Sequence, residues 1–266
     1  MKVIDLKTPR PASTTVLLYG ASKSGKTRFA ATAPDPIFLS DAVEGGYETI
    51  RSIDPNDFYT PGKLPDVWTL ESVQDMKKAQ AELRVSLGKY KTVVIDSLTF
   101  YVDLAWNWIL KAGPKDRNGE PDTLRGYGML WTHLQDTLVE IHRLGLNVIW
   151  ICLEKPPEEG RPIGGPMIPG QGGQKIPAAC NYVWYQRAYQ HNPSQPPIFE
   201  TRTKKFGAFM AGGRDEGRLP DPLPTCSWRA FEEALWGEKQ KALPNVQTHR
   251  PPVVSSSQRA PVMVRR

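Results

Sequence analysis

Gly20-Ala21-Ser22-Lys23-Ser24-Gly25-Lys26-Thr27 follows the run Thr15-Val16-Leu17-Leu18-Tyr19 and leads into Arg28-Phe29-Ala30-Ala31. An apolar run of strand length, a turn with a glycine at each end, and then helix formers supply the context that turns the pattern G-x4-G-K-[ST] into a P-loop. Gly20 and Gly25 let the backbone turn tightly, so that successive N–H groups point inward at phosphate oxygens, with the positive end of the new helix behind them. Lys26 is then placed for the β- and γ-phosphates and the Thr27 hydroxyl for Mg2+. The expected nucleotide contacts are Gly20 through Thr27 together with Arg28.

A second stretch, Thr92-Val93-Val94-Ile95-Asp96-Ser97, has the composition of a buried parallel strand that delivers a carboxylate to the carboxyl edge of a sheet. This is the Walker B form, and it assigns Asp96 to the Mg2+ shell, directly or through water. Between the two motifs, Ile37-Phe38-Leu39 reads as a further strand that ends in Ser40-Asp41-Ala42-Val43-Glu44-Gly45-Gly46. A carboxylate just beyond a strand next to the phosphates can orient the attacking water, and Glu44 is preferred to Asp41 for that role.

The rest of the chain alternates strands and helices. Val67–Leu70 reads as a strand and Ser72 to about Ser86 as a helix whose start is marked by Ser72 and Asp75. Helices are expected over about Thr99–Lys111 and Met129–Leu144, with a polar loop over 113–128 between them. Trp106 and Trp108 read as packing residues. Asn147–Leu153 is a strand, and Pro156–Pro177, rich in proline and glycine, is a long functional or disordered loop. Tyr182–Arg187 and Ile198–Lys204 are later strands, the second extended by Phe206–Met210, and Ser227–Trp236 is a closing helix. The fold class that results is α/β, with a mainly parallel central sheet flanked by helices. Residues 1–14 form a lead-in, 15–236 the core and 237–266 a basic, disordered tail.

Composition narrows the function classes. The net charge is +6, of which the tail beyond Gly237 holds +5 through Lys239, Lys241, Arg250, Arg259, Arg265 and Arg266 against Glu238. The core is therefore close to neutral, and the tail either meets nucleic acid or an acidic partner or stays solvated. No apolar run reaches the length of a membrane span and no signal-peptide core begins the chain, so a soluble, cytosolic protein without a membrane partner is expected. Cys152, Cys180 and Cys226 are odd in number and far apart, which argues against a disulfide framework or a zinc site.

Taken together, the P-loop, Phe38-Leu39-Ser40-Asp41-Ala42-Val43-Glu44, Val93-Val94-Ile95-Asp96-Ser97 and the strand leading into a glycine-rich loop resemble the RecA-like ATPase core. The likeness is to the short, core-only RecA-like proteins of bacteriophages, some of which act as single-strand annealing proteins. That resemblance implies an ATPase whose turnover can be slow and DNA-stimulated, that uses ATP and Mg2+, binds single-stranded DNA and forms a homo-oligomer with ATP at its subunit interfaces, working in recombination in a bacterial host's cytoplasm. Carried over, Glu44 takes the part of the catalytic glutamate beside Lys26 and Asp96. Lys155, Arg161 and Lys175 fall in the DNA-binding loop, and Lys204 and Lys205 match the basic pair that reaches a neighbour's γ-phosphate. Tyr47 is placed to stack on adenine, and the tail to meet a single-strand-binding protein. The family's polar γ-phosphate sensor has no counterpart in Cys152-Leu153-Glu154-Lys155. Three other readings stay open: a P-loop motor or loader acting on a protein partner, a small-molecule phosphotransferase with Arg117 and Arg125 as lid arginines, and a binding protein that uses ATP purely as an assembly switch.

Overall fold

The computed structural model describes residues 13–43, 45–86 and 88–237. Glu44, the lead-in up to residue 12 and the tail from residue 238 lie outside the described residues.

Nine strands form one sheet. In chain order they are β1 (Thr15–Gly20), β2 (Pro36–Asp41), β3 (Asp66–Leu70), β4 (Thr92–Asp96), β5 (Asn147–Lys155), β6 (Gly165–Pro166), β7 (Tyr182–Tyr189), β8 (Ile198–Arg202) and β9 (Gly212–Gly213). The helices are α1 (Lys26–Ala31), α2 (Val73–Val85), α3 (Leu98–Ala112), α4 (Thr123–Arg143), α5 (Gly172–Ala179) and α6 (Trp228–Trp236). The spatial order is β3-β2-β4-β5-β1-β7-β8, with β6 on β5 and β9 on β7. Neighbours from β3 to β7 run parallel, and β6, β8 and β9 pair antiparallel. In this order β5 lies between the strand that ends in the P-loop and the strand that ends in Asp96.

The strands form because their β-branched and apolar residues can be buried on both faces, as a parallel sheet requires. Alternation sends Leu17, Tyr19, Leu39, Ile95 and Trp150 to one face, against α2, α3 and α4. Val16, Leu18, Phe38, Val94 and Ile151 face the other side, against α1 and α6. Three helices start on a serine side-chain cap. Ser72 accepts from the Asp75 amide, Ser97 from Phe100 and Ser227 from Ala230, each holding a helix start where the sequence signals it.

Four expectations need correction. Helix α4 starts at Thr123, not Met129, because Asp122 caps it by accepting from the Arg125 amide, and Gly126 packs closely where the helix meets Trp106 and Ile109. The polar loop therefore covers only 113–122. The Pro156–Pro177 stretch is not wholly irregular, since β6 pairs with β5 at Glu154 and Lys155 and α5 begins at Gly172. Phe206–Met210 does not extend β8. Phe206 and Phe209 exchange hydrogen bonds in a tight turn that lets both rings stack on Tyr185. Glycine and proline mask such elements in a sequence because their low propensities are overridden only by long-range packing.

Cys152 and Cys180 are buried thiols and Cys226 is half-buried, all three unoxidised. Trp106 stacks on Tyr127 and Trp108 is partly exposed on the same helix. Among the described residues no helix is long and apolar enough to cross a membrane.

Helix α6 is fixed to the sheet by aromatic packing. Phe231, fully buried, has its ring centroid 5.0 Å from Trp184 and 5.2 Å from Trp228, Tyr182 and Trp236. Phe231→Ala is expected to cost about 3–5 kcal/mol, read as a lower urea midpoint in equilibrium unfolding.

Candidate functional site

The P-loop closes β1 and opens α1. Lys26, 7% exposed, donates from Nζ to the Gly20 carbonyl at 3.0 Å and the Ala21 carbonyl at 2.6 Å, which folds the ammonium back into the loop. Lys23 and Gly25 both take positive φ, 63° and 90°. At Gly25 the conformation and the space both require glycine, because a Cβ there would lie 2.5 Å from the Phe199 ring on β8. Gly20 is needed for another reason. A Cβ on it would stand 1.9 Å from the Gln186 carbonyl on β7.

Behind the loop runs a polar chain in which Gln186 and Thr201 are fully buried and Cys226 is half-buried. Thr201 Oγ1 donates to Gln186 Oε1 at 2.7 Å, Gln186 Nε2 donates to Cys226 Sγ at 3.2 Å, and the Cys226 thiol points at the Gly25 carbonyl at 4.0 Å. Burial pushes the Cys226 thiol above its usual range, so it stays protonated as a donor. Neither Phe199 nor this chain carries a sequence signal. The Ser24 hydroxyl is buried with no hydrogen-bond partner among the described residues, an orphan that a phosphate oxygen would satisfy.

Thr27 Oγ1 donates to Asp96 Oδ2 at 2.7 Å. Asp96 is 2% exposed and ends β4. The two motifs read separately in the sequence thus meet in one pair of hard oxygen ligands. Among the described residues no group of three or more His, Cys, Asp or Glu could hold a metal. A hydroxyl and one carboxylate beside a phosphate cradle fit Mg2+, which takes one or two protein oxygens and fills its shell with phosphates and water.

Other expected residues are distributed around this centre. Asp41 ends β2, and its Oδ1 accepts from the Val43 amide at 2.6 Å, shaping the turn that leads to Glu44. Arg28 pairs with Asp57 at 2.6 Å at the rim. Tyr47 lies in the 3-10 turn Gly46–Ser52, half-buried against the core. Leu153 falls on the α1 face of β5, and Glu154 points to the opposite face. There it sits near Tyr185, whose hydroxyl burial pushes up to about 12, and Tyr19, which is raised as well.

The 155–175 segment walls a groove of about 940 Å3. Lys155 and Arg161 line it, but so do Glu158 and Asp103, and much of the lining is Pro, Ile and Met. Lys155 is 3.3 Å from Glu158. Lys175 is outside that lining, on α5, with its ammonium 4.7 Å above the Trp131 ring. Lys204 and Lys205 are exposed beyond the end of β8, where Asp221 accepts from the Lys204 amide. Arg125, a candidate lid residue, is ion-paired with Asp122 on the first turn of α4.

Comparison with known proteins matches residues 12–206 to the AAA domain family, more than half of the chain. Among solved structures, the KaiC-like protein PH0186 from the hyperthermophilic archaeon Pyrococcus horikoshii OT3 is similar at 15% identity, over 71% of this chain and 77% of that one, with a TM-score of 0.43. No curated protein sequence matches the chain.

The contact of Gly25 with Phe199 can be tested by a double-mutant cycle. Gly25→Ala is expected to destabilise by at least about 1–2 kcal/mol from the left-handed backbone alone. Phe199→Ala in the same chain should return the steric share, so that thermal unfolding of the four proteins gives a non-zero coupling energy.

Proposed function

The chain belongs to the AAA domain family, and on that premise we propose that it binds and hydrolyses ATP with Mg2+, using single-stranded DNA as its regulator and cargo. The observation that carries the ATPase reading is the Thr27–Asp96 pair beside Lys26, which combines a phosphate cradle with a metal seat. Lys26 offsets charge on the β- and γ-phosphates, and the loop amides hold the phosphates in line. Mg2+, when bound, supplies further neutralisation between those phosphates. Thr27 and Asp96 would hold it. Glu44 is the group we assign to orient the water, from its place after β2.

Binding of DNA is supported by Lys155 and Arg161 in the groove and by the charge of the tail. Annealing or recombination in phage DNA metabolism, a homo-oligomer with ATP between subunits, Lys204 and Lys205 acting across that interface, and a single-strand-binding protein on the tail complete the proposal. A second reading, a motor or loader for a protein partner, is favoured by the groove itself: Ile163, Met167, Ile168 and Met210 suit an apolar peptide better than a phosphate backbone.

ATP turnover by wild type and Lys26→Ala, with and without single-stranded DNA at two salt concentrations, separates these readings. The expected result is turnover that DNA stimulates, less so at higher salt, and that falls by about 100-fold or more in Lys26→Ala. Turnover indifferent to DNA would move the assignment to the protein-partner motor.

A further inference from the structure

On the edge of the sheet opposite the P-loop, where β2, β3 and β4 begin, Ala31, Ala33, Pro36, Phe58, Leu64 and Tyr90 line a cavity of about 90 Å3. Phe58 and Tyr90 are buried, and the Tyr90 hydroxyl is already satisfied by Asp66 Oδ2 at 2.7 Å, so the walls are apolar. Ammonium groups stand around this slot. Lys63 lies 2.5 Å from Asp35, Lys91 3.3 Å from the same carboxylate, and Lys89 2.7 Å from Asp66. The three lysine side chains are 57%, 68% and 64% exposed, whereas Asp35 is 16% exposed. Asp35 therefore lies beneath its two cations, and three lysines against two carboxylates leave the rim with a surplus of positive charge facing water.

A cavity of about 150 Å3 holds a benzene ring, so a space of about 90 Å3 admits an aliphatic side chain such as leucine and excludes a nucleobase. An apolar slot also offers nothing to a phosphate backbone. The chain's own ends do not complement the rim: residues 1–12 carry Lys2, Lys7 and Arg10 against Asp5, and residues 238–266 carry six basic residues against Glu238. Both have the sign of the lysines. The chemistry that fits is an aliphatic group set between negative charges. We propose that this edge of the sheet docks an acidic segment of a partner protein, with one leucine-sized side chain in the slot and carboxylates on Lys63, Lys89 and Lys91. The slot fixes the register of the segment, and the lysines select its charge. The inference does not depend on the nucleotide reading, although Ala31 in the slot ends the helix that Lys26 begins.

The probe is a fluorescein-labelled peptide of one leucine with three aspartates on each side, titrated into the full chain by fluorescence anisotropy at low salt. Saturable binding with a Kd below about 1 mM is expected, about tenfold weaker when alanine replaces the leucine and weaker again at higher salt. Lys63→Gln combined with Lys89→Gln, both at exposed side chains, should weaken the leucine peptide by about fivefold or more, with cooperative thermal unfolding retained. The leucine-to-alanine comparison is made on wild type, so it stands even if the double variant does not fold. Absence of binding, equal binding of the two peptides, or indifference to the lysine changes overturns the proposal. So does displacement of the probe by a single-stranded oligonucleotide at equal concentration, which would give the lysines to nucleic acid. Displacement by an unlabelled peptide of residues 1–12 would give the slot to the chain's own lead-in and overturns it as well.

Discussion

The hydrogen bond from Thr27 to Asp96 joins two elements that are not neighbours in the sheet. Thr27 hangs from the P-loop after β1, Asp96 ends β4, and β5 lies between them. For the bond to form at 2.7 Å, β5 has to be inserted in register with both strands: Leu18 opposite Ile151 on one side, and Ile95 opposite Trp150 on the other. The apolar residues of β5 make that register costly to shift. A slip of one residue would turn Trp150 and Cys152, both fully buried, onto the opposite face. The chemistry at the sheet's edge is therefore set by packing in its middle.

The same logic applies on the side away from Asp96. Gly20 lets β1 and β7 approach at the Gln186 carbonyl, and Gly25 accepts the Phe199 ring from β8. The antiparallel β7–β8 pair thus acts as a back wall for the loop, and the Thr201–Gln186–Cys226 chain fills the space behind it with polar groups that satisfy one another. Buried polar chains of this kind are costly when incomplete. A substitution at Gln186 would remove both the acceptor of the Thr201 hydroxyl and the donor to Cys226 Sγ.

The sequence made the sheet and the two motifs legible because their signals are local: β-branched runs, a glycine at each end of a turn, a terminal Asp, a capping serine. Strands β1, β2, β4 and β5 and the starts of α2 and α6 could all be read from residues within one or two turns of each other. What stayed hidden depends on distant partners. The start of α4 runs through Gly126, which looks like loop until Trp106 is seen packed against it. Helix α5 carries two glycines and Pro177. Phe199 gains its meaning only from Gly25, 174 positions away. Tertiary packing, rather than propensity, decides at all of these positions.

The groove and the P-loop share a wall. Tyr19, the residue before Gly20, donates its hydroxyl to the Met210 carbonyl at 2.5 Å, and Met210 lines the groove. Tyr185 packs beside Tyr19 at 5.4 Å between ring centroids and stacks on Phe209 at 4.2 Å, and the amide of Gly164, another groove residue, donates to the Ala208 carbonyl. Aromatic rings at these separations move together or not at all, since a packed interior has little free volume. Contact alone does not make the two sites coupled; coupling requires that this wall have two arrangements of different affinity for the nucleotide. What the contacts do fix is the route. A movement of the Gly20 end of the P-loop that carries Tyr19 with it pulls on the Met210 carbonyl and so on the wall of the groove.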